Sequence, residues 1–314
     1  MTFALLLVAS TLAVYGMVSG DVGDVWIVLY AGLLPLVFRL LILASAQAEP
    51  SRVLRSFQVW GAMRRGEIVL HYQPKISVQT GETIGVEALA RWEHPRRGLL
   101  PPGDWLAATE HRWLESRFCA YVLRAAVRQA AEWRSAGRDF VVCVNVSPCC
   151  FGKRFLPRTI DRLLAEHGLP VTYLCVELTE EALGLSDRAR AVARELTERG
   201  VVLSLDDFGV GHSSMDRLVG LPLHELKIDR RFVSRMVASD RNGAVVRAAI
   251  GLAHSLGMVV VAEGVESSET LRSLEVLGCD IAQGFLISPA LPAGELETWL
   301  RAERGARFTS AVRC

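Results

Sequence analysis

Eight short apolar runs, most of them closed by a polar side chain, constrain the fold more than any other feature of the chain. They are EIVLHYQP (67–74), TIGVEALA (83–90), DFVVCVNV (139–146), TYLCVELT (172–179), VVLSLDDF (201–208), HELKIDR (224–230), MVVVAEGV (258–265) and IAQGFLI (281–287). Amphipathic stretches separate several of them: Ala120 to Arg134, Arg188 to Arg199, Asn242 to Leu256 and Ser268 to Leu277. Gly200, Gly257 and Gly278 stand where helix C-caps are expected. Strand–helix alternation of this kind builds a parallel sheet, and about eight strands in ~250 residues predict an α/β fold of the (β/α)8, TIM-like type.

The polar residues fall where such a barrel keeps its chemistry. Just past the apolar stretches lie Glu87, Asn145, Glu177 with Glu180, Asp206 with Asp207, Lys227 with Asp229, Glu263 with Glu266, and Gln283. A closed barrel gathers these strand ends on one face. A single acid at a strand end also serves as a helix cap, but four or five carboxylates meeting at one mouth repel each other unless cations lie between them. All the candidate ligands are oxygens, which favour Mg²⁺ or Mn²⁺ over Zn²⁺. The adjacent pair Asp206-Asp207 suits two ions at once, a geometry fitted to in-line attack on a phosphodiester. Lys227 is placed to orient a water or to steady developing negative charge.

The first fifty residues differ from the rest. Their only charges are Asp21, Asp24, Arg39 and Glu49, and they account for the mean hydropathy of +0.27. Setting those four aside leaves 34 basic and 31 acidic groups in residues 51–314. That balance excludes a coat for polymeric nucleic acid, and the 22% charged, 51% hydrophobic composition excludes a disordered chain. Phe3 to Ser19 is an uncharged run of 17, and Val25 to Phe38 continues, past Arg39, into LLILASA. Spanning the hydrocarbon takes about 20 apolar residues. We expect a two-helix membrane hairpin over residues 1–50, with one span plus an interfacial segment as the other reading. A cleaved signal peptide fits less well, because MTFALLL has no positive n-region. The acidic link SGDVGD, with Arg39, Arg52 and Arg55 after the second run, places the link outside and both ends in the cytoplasm. Seven cysteines without C-x-x-C spacing read as reduced thiols.

Taken in order, the motifs resemble one family. Glu87-Ala88-Leu89 followed by Arg91 resembles the signature of the EAL family of cyclic-di-GMP phosphodiesterases. HYQPK (71–75), EALARWEHPRRGLLPP (87–102), VNVS (144–147), ELTE (177–180), DDFGVGHSS (206–214), LPLHELKIDRRFV (221–233), AEGVE (262–266) and GCDIAQGF (278–285) match its pattern. The resemblance runs from about Arg52 to about Leu300, so we expect an EAL barrel over residues 51–302 and a tail over 303–314. It implies a modified barrel whose first strand is antiparallel to the others. It also implies hydrolysis of cyclic-di-GMP to linear pGpG with two Mg²⁺ or Mn²⁺ ions. By motif, Glu87, Asn145, Glu177 and Asp206 would hold the first metal, and Asp207 and Glu263 the second or its waters. Lys227 would contact the attacking water, with Glu263 or metal activation alone serving as the base. Arg91 would bind a substrate phosphate, Gln73 and Pro74 would line the substrate groove, and Glu266 and Gln283 would support the ligands and waters. Glu180 would anchor the loop Gly209–Ser214, which in the family couples the metal site to a homodimer.

Some positions depart from the family pattern. Val210 replaces a threonine, His212 an aromatic residue, Met215 a leucine, and Trp113 a glycine. None removes a ligand, so these departures bear on loop control. The functional expectation is a phosphodiesterase anchored in the inner membrane as a multi-pass protein, with the barrel in the cytoplasm. The alternatives are an inactive cyclic-di-GMP receptor or an interaction scaffold.

Overall fold

The computed structural model describes residues 50–311, apart from 112, 180, 181, 183–186, 210–217 and 219. The expected hairpin, Glu180, and most of the loop that carries Val210, His212 and Met215 lie outside the described residues. The chain divides into two compact units, Met1–Trp60 and Gly61–Cys314. In the first, only the beginning of helix α1 (Pro50–Arg65) is described. Among the described residues no helix is long and apolar enough to cross a membrane.

The second unit is a barrel. Its strands are β1 (Ile68–Ser77), β2 (Thr83–His94), β3 (Gly98–Leu100), β4 (Val141–Asn145), β5 (Leu174–Thr179), β6 (Val202–Phe208), β7 (Glu225–Ile228), β8 (Val259–Ala262), β9 (Ile281–Ala282) and β10 (Leu291–Pro292). All eight runs in the sequence contribute a strand. The ring closes in the order β1-β9-β8-β7-β6-β5-β4-β2 through the β1–β2 pairing, with β3 and β10 added outside it. From β2 to β9 the ring strands are parallel. β1 is antiparallel to both of its neighbours, as the resemblance implied. The cause is local. A tight turn, with Gly81 N–H donating to Ser77 O and Ser77 N–H to Glu82 O, joins β1 to β2, and a parallel crossover needs a dozen or more residues.

Helices α2 (Glu115–Ser135), α3 (Phe155–His167), α4 (Asp187–Glu198), α5 (Asp240–Ser255), α6 (Ser268–Val276) and α7 (Ala293–Ala311) follow strands β3, β4, β5, β7, β8 and β10. α2 buries Cys119, Val122, Leu123, Ala126, Val127, Ala130 and Trp133, the 3–4 spacing of a single helical stripe. Gly200, Gly257 and Gly278 follow α4, α5 and α6 with φ of 87°, 72° and 75°, the left-handed turn expected of C-caps. Helix α3 had no counterpart in the expected pattern, although it buries Leu156, Ile160, Leu163 and Leu164.

Backbones pack tightly at the end of the ring. A Cβ built on Gly284 would lie 2.2 Å from Val265 O and 2.3 Å from Val265 N. The same two segments are joined by Val265 N–H donating to Gln283 O. Gly284→Ala is therefore expected to destabilise the barrel by about 3 kcal/mol, the upper range for overpacking. Urea unfolding checks this; an unchanged midpoint would mean that the segments can part freely.

Candidate active site

The strand ends meet around one ammonium group. Lys227, from β7, is fully buried. Its Nζ lies 2.7 Å from Glu263 Oε1, 3.0 Å from Asp206 Oδ1, 3.1 Å from Glu177 Oε2 and 3.5 Å from Glu87 Oε2. Those four carboxylates come from β2, β5, β6 and the residue after β8. Glu87 is itself held on both oxygens: Asn145 Nδ2 donates to Oε1 at 2.7 Å and Gln283 Nε2 to Oε2 at 2.7 Å. Gln283 also donates to Gln73 Oε1 at 3.1 Å, and Gln73 donates to Ser288 O.

Adjacent side chains on a regular strand point to opposite faces, so Asp206 and Asp207 would diverge. The chain avoids this with an irregularity. Pairing of β6 with β7 shifts register between Leu205 and Phe208, and Asp207 has φ 56°, a left-handed backbone that aspartate tolerates better than most residues. As a result, one oxygen each from Asp206, Asp207 and Glu263 lies within 4.8 Å of the other two.

At the mouth the Lys227 ammonium faces more carboxylates than it can neutralise. Burial pushes Glu263 up to about 7; Lys227 pulls against that shift, while Asp206 and Glu87 add to it. Burial, then Asp206, pushes Asp207 up to about 6. Burial and then Glu87 hold Glu177 well above the carboxylate range. Burial opposes ionisation of Glu87 too, but there Lys227, Gln283 and Asn145 prevail and bring it down to about 2. Burial works against a charged Lys227 as well, yet the carboxylates around it, Glu177 first, hold it well above the ordinary lysine value. Glu177 Oε1 is buried without a hydrogen-bond donor. An oxygen-rich, undercharged mouth of this kind fits divalent cations, and Glu87, Asn145, Glu177, Asp206, Asp207 and Glu263 are the residues that could hold them.

These shifts fix the sign of a pH effect. Between its ordinary 4.5 and about 7, Glu263 binds more proton in the folded than in the unfolded chain. Asp207 does the same between 3.8 and about 6. Their contribution is complete below the ordinary values and is lost as pH rises through the folded ones. Glu177, held high by burial, adds to this loss, while His71, held low by burial, and Cys150, brought down to about 7 by its hydrogen bond with Cys119, work in the opposite direction, the thiol only toward the upper end of the range. In EDTA, the melting temperature is expected to fall by several degrees from pH 5 to pH 8, at roughly 2–4 °C per kcal/mol. Saturating Mg²⁺ should remove the fall, since cation and proton compete for the same oxygens. A melting temperature that climbs with pH in EDTA would contradict this charge balance.

A cleft of about 200 Å³ opens on the site, lined by Gln73, Glu87, Leu89, Arg230, Glu263, Gly264, Glu266, Gln283, Gly284 and Phe285. Gln73, Glu266 and Gln283 thus all line this cleft. Pro74 does not line this cleft. It is buried and follows Gln73 in the strand, so it faces the other way. Arg91 lies two steps beyond Leu89 on the same face of β2 and lines a neighbouring cavity of about 640 Å³ with His71, Glu93 and His94. Its Nη1 donates to Ala90 O at 2.9 Å. Arg230 and Phe285 lie inside quoted motifs but were given no role there, since neither is a strand-end acid or amide.

Comparison with known proteins settles the lineage. Residues 58–290 match the EAL domain. The chain belongs to the EAL family. It is 39% identical over 237 residues to the bifunctional diguanylate cyclase/cyclic di-GMP phosphodiesterase MucR of Pseudomonas aeruginosa, covering 75% of this chain and 35% of that protein. The cyclic di-GMP phosphodiesterase RocR of the same organism is 38% identical over 248 residues, covering 78% of this chain and 63% of RocR. The chain spans about a third of the length of the first curated relatives it matches. Among solved structures, the MucR phosphodiesterase in complex with c-di-GMP superposes with a TM-score of 0.74 at 38% identity, covering 77% of this chain and 99% of the other.

Proposed function

We propose that this EAL chain is a membrane-anchored cyclic-di-GMP phosphodiesterase that hydrolyses the cyclic dinucleotide to linear pGpG with two Mg²⁺ or Mn²⁺ ions and so lowers c-di-GMP signalling. The observation that carries the reading is the buried Lys227 ammonium among four carboxylates from four strand ends, with two further ligand-type side chains, Asn145 and Asp207, at the same mouth. The names of relatives such as RocR and NbdA support the substrate.

A bound divalent pair would supply Lewis acidity toward the phosphoryl oxygen and acidify the attacking water. The protein's own groups do the rest. The phosphodiester is anionic, so Lys227 and Arg230 oppose the repulsion of the carboxylates, and Arg91 offers a planar fork to a phosphate further along β2. Glu263 reaches the mouth from the residue after β8, 2.7 Å from the Lys227 ammonium, where it can accept a proton from a water. Glu263 takes the proton of the attacking water as the new P–O bond forms. The P–O3′ bond breaks and the departing O3′ takes a proton from solvent water, leaving a 5′-phosphate and a 3′-hydroxyl. Phe285 lines the cleft and is 70% exposed, which offers an aromatic ring for a guanine to stack on.

The anchor rests on the apolar runs of residues 1–50, and the charge flanking them argues for a multi-pass inner-membrane protein with a cytoplasmic barrel. A homodimer belongs to the same proposal. Incubating the full chain with cyclic-di-GMP and Mg²⁺ or Mn²⁺ should yield pGpG by chromatography. Tight binding without product would contradict the enzyme and support a receptor. A carbonate wash that releases the chain from the membrane fraction would contradict the anchor.

A further inference from the structure

A second polar layer lies below the mouth. Side chains on a barrel strand stack in layers two residues apart. Two residues before Asn145, Glu177, Asp206 and Lys227 stand Cys143, Cys175, Ser204 and Glu225, all buried. β1 runs the other way, so its member of this layer comes two residues after Gln73 and is Lys75, also buried. Two residues before Glu87 is Gly85, where an added Cβ would sit 3.1 Å from Val141 O and 4.0 Å from Lys75 Cβ. The missing side chain there leaves room beside the lysine stem.

Lys75 Nζ lies 2.6 Å from Glu225 Oε1, 3.3 Å from Cys143 Sγ and 3.6 Å from Glu177 Oε1. Ser204 Oγ donates to the same Glu225 oxygen at 2.7 Å. The sulfurs of Cys143 and Cys175 and an oxygen of Glu225 lie within 4.8 Å of one another, a spacing that suits a cation. The chain's own ammonium already stands among them. Glu177 thus lies between two lysines: Lys227 faces its outer oxygen and Lys75 its inner one.

We infer that Lys75 is a positioning residue for metal binding: anchored on Glu225, its ammonium holds the inner oxygen of Glu177 and keeps the outer oxygen turned to the mouth. Without it, Lys227 is the cation left facing the fully buried Glu177 among the described residues, and the carboxylate is free to turn both oxygens toward that ammonium. The inference rests on the reading of the mouth as a divalent-metal site. It predicts an effect on metal affinity, which general loosening of the barrel would not single out.

The test uses the full chain as wild type, Lys75→Met, and Lys75→Met/Glu225→Gln, which removes the buried charges together. Mn²⁺ binding is followed by electron paramagnetic resonance, alongside thermal melts in EDTA and kinetics at varied Mn²⁺. Both variants should melt cooperatively and bind Mn²⁺ about 10- to 100-fold more weakly, the range for residues that orient a ligand. The KM for cyclic-di-GMP should stay within about twofold and kcat should recover at high Mn²⁺, because uniform substrate binding is untouched. Unaltered Mn²⁺ affinity in the variants would overturn the role of Lys75, as would a kcat loss that saturating Mn²⁺ does not restore. Failure of both variants to fold would also overturn it, since the layer would then be holding up the barrel. A wild-type chain that binds no Mn²⁺ would instead remove the metal reading of the mouth.

Discussion

Lys227→Met is expected to lower hydrolysis of cyclic-di-GMP by about 10²–10³-fold at saturating substrate, the usual cost of losing one preorganised electrostatic group. Its Nζ contacts Glu87, Glu177, Asp206 and Glu263, so the substitution also leaves these carboxylates without their shared cation. Breaking a buried pair destabilises by about 3–5 kcal/mol, or about 10 °C in a barrel of this size. That loss should appear in EDTA and shrink when Mg²⁺ is added, because the ions take over part of the neutralisation. The variant would therefore gain more melting temperature from Mg²⁺ than the wild type does. Melting curves with and without metal, run beside the activity assay, check both parts. Wild-type turnover in the variant would remove Lys227 from the mechanism. A metal-independent stability loss would make it merely a packing element.

Glu177→Gln should produce the second-largest effect. The side chain is fully buried, one oxygen faces Lys227 at 3.1 Å, and the other has no hydrogen-bond donor. The amide keeps the shape but removes the negative charge a divalent cation needs. Activity should fall by roughly 10³-fold, corresponding to the several kcal/mol of charge stabilisation such ions supply. Stability in EDTA should hold or rise, since Glu177 already resists ionisation there. A stable variant that binds Mn²⁺ like the wild type would show that Glu177 is not a ligand.

Much of this architecture was readable in the sequence, for reasons that particular residues make plain. Buried parallel strands write themselves as short apolar runs, and VVLSL, MVVVA and TYLCV each became a strand. The strand-end rule then pointed to Glu87, Glu177, Asp206, Lys227 and Glu263, which lie together at one mouth. Other features leave a weaker trace. β10 is two residues long, too short for any periodicity to register. The bend that brings Asp207 beside Asp206 depends on one left-handed backbone angle, which no spacing reveals. Glu225 sits at the start of its run, and Lys75 just past the end of a run whose strand is reversed, so attention to the strand ends at the mouth passes over both. Their signal was the period of two. For Lys75 it runs in the opposite sense, because β1 is reversed. Pro74 shows the same rule from the other side, since adjacency to Gln73 in sequence put it on the opposite face.

The central claim is that acids from separate strands share a pair of divalent ions. Diffraction from crystals of the full chain soaked in Mn²⁺, recorded at a wavelength where manganese scatters anomalously, tests it most directly. The account predicts two peaks about 3.5–4 Å apart, one among Glu87, Asn145, Glu177 and Asp206 and the other beside Asp207 and Glu263. Manganese bound elsewhere, or none at these oxygens at millimolar concentration, would contradict it.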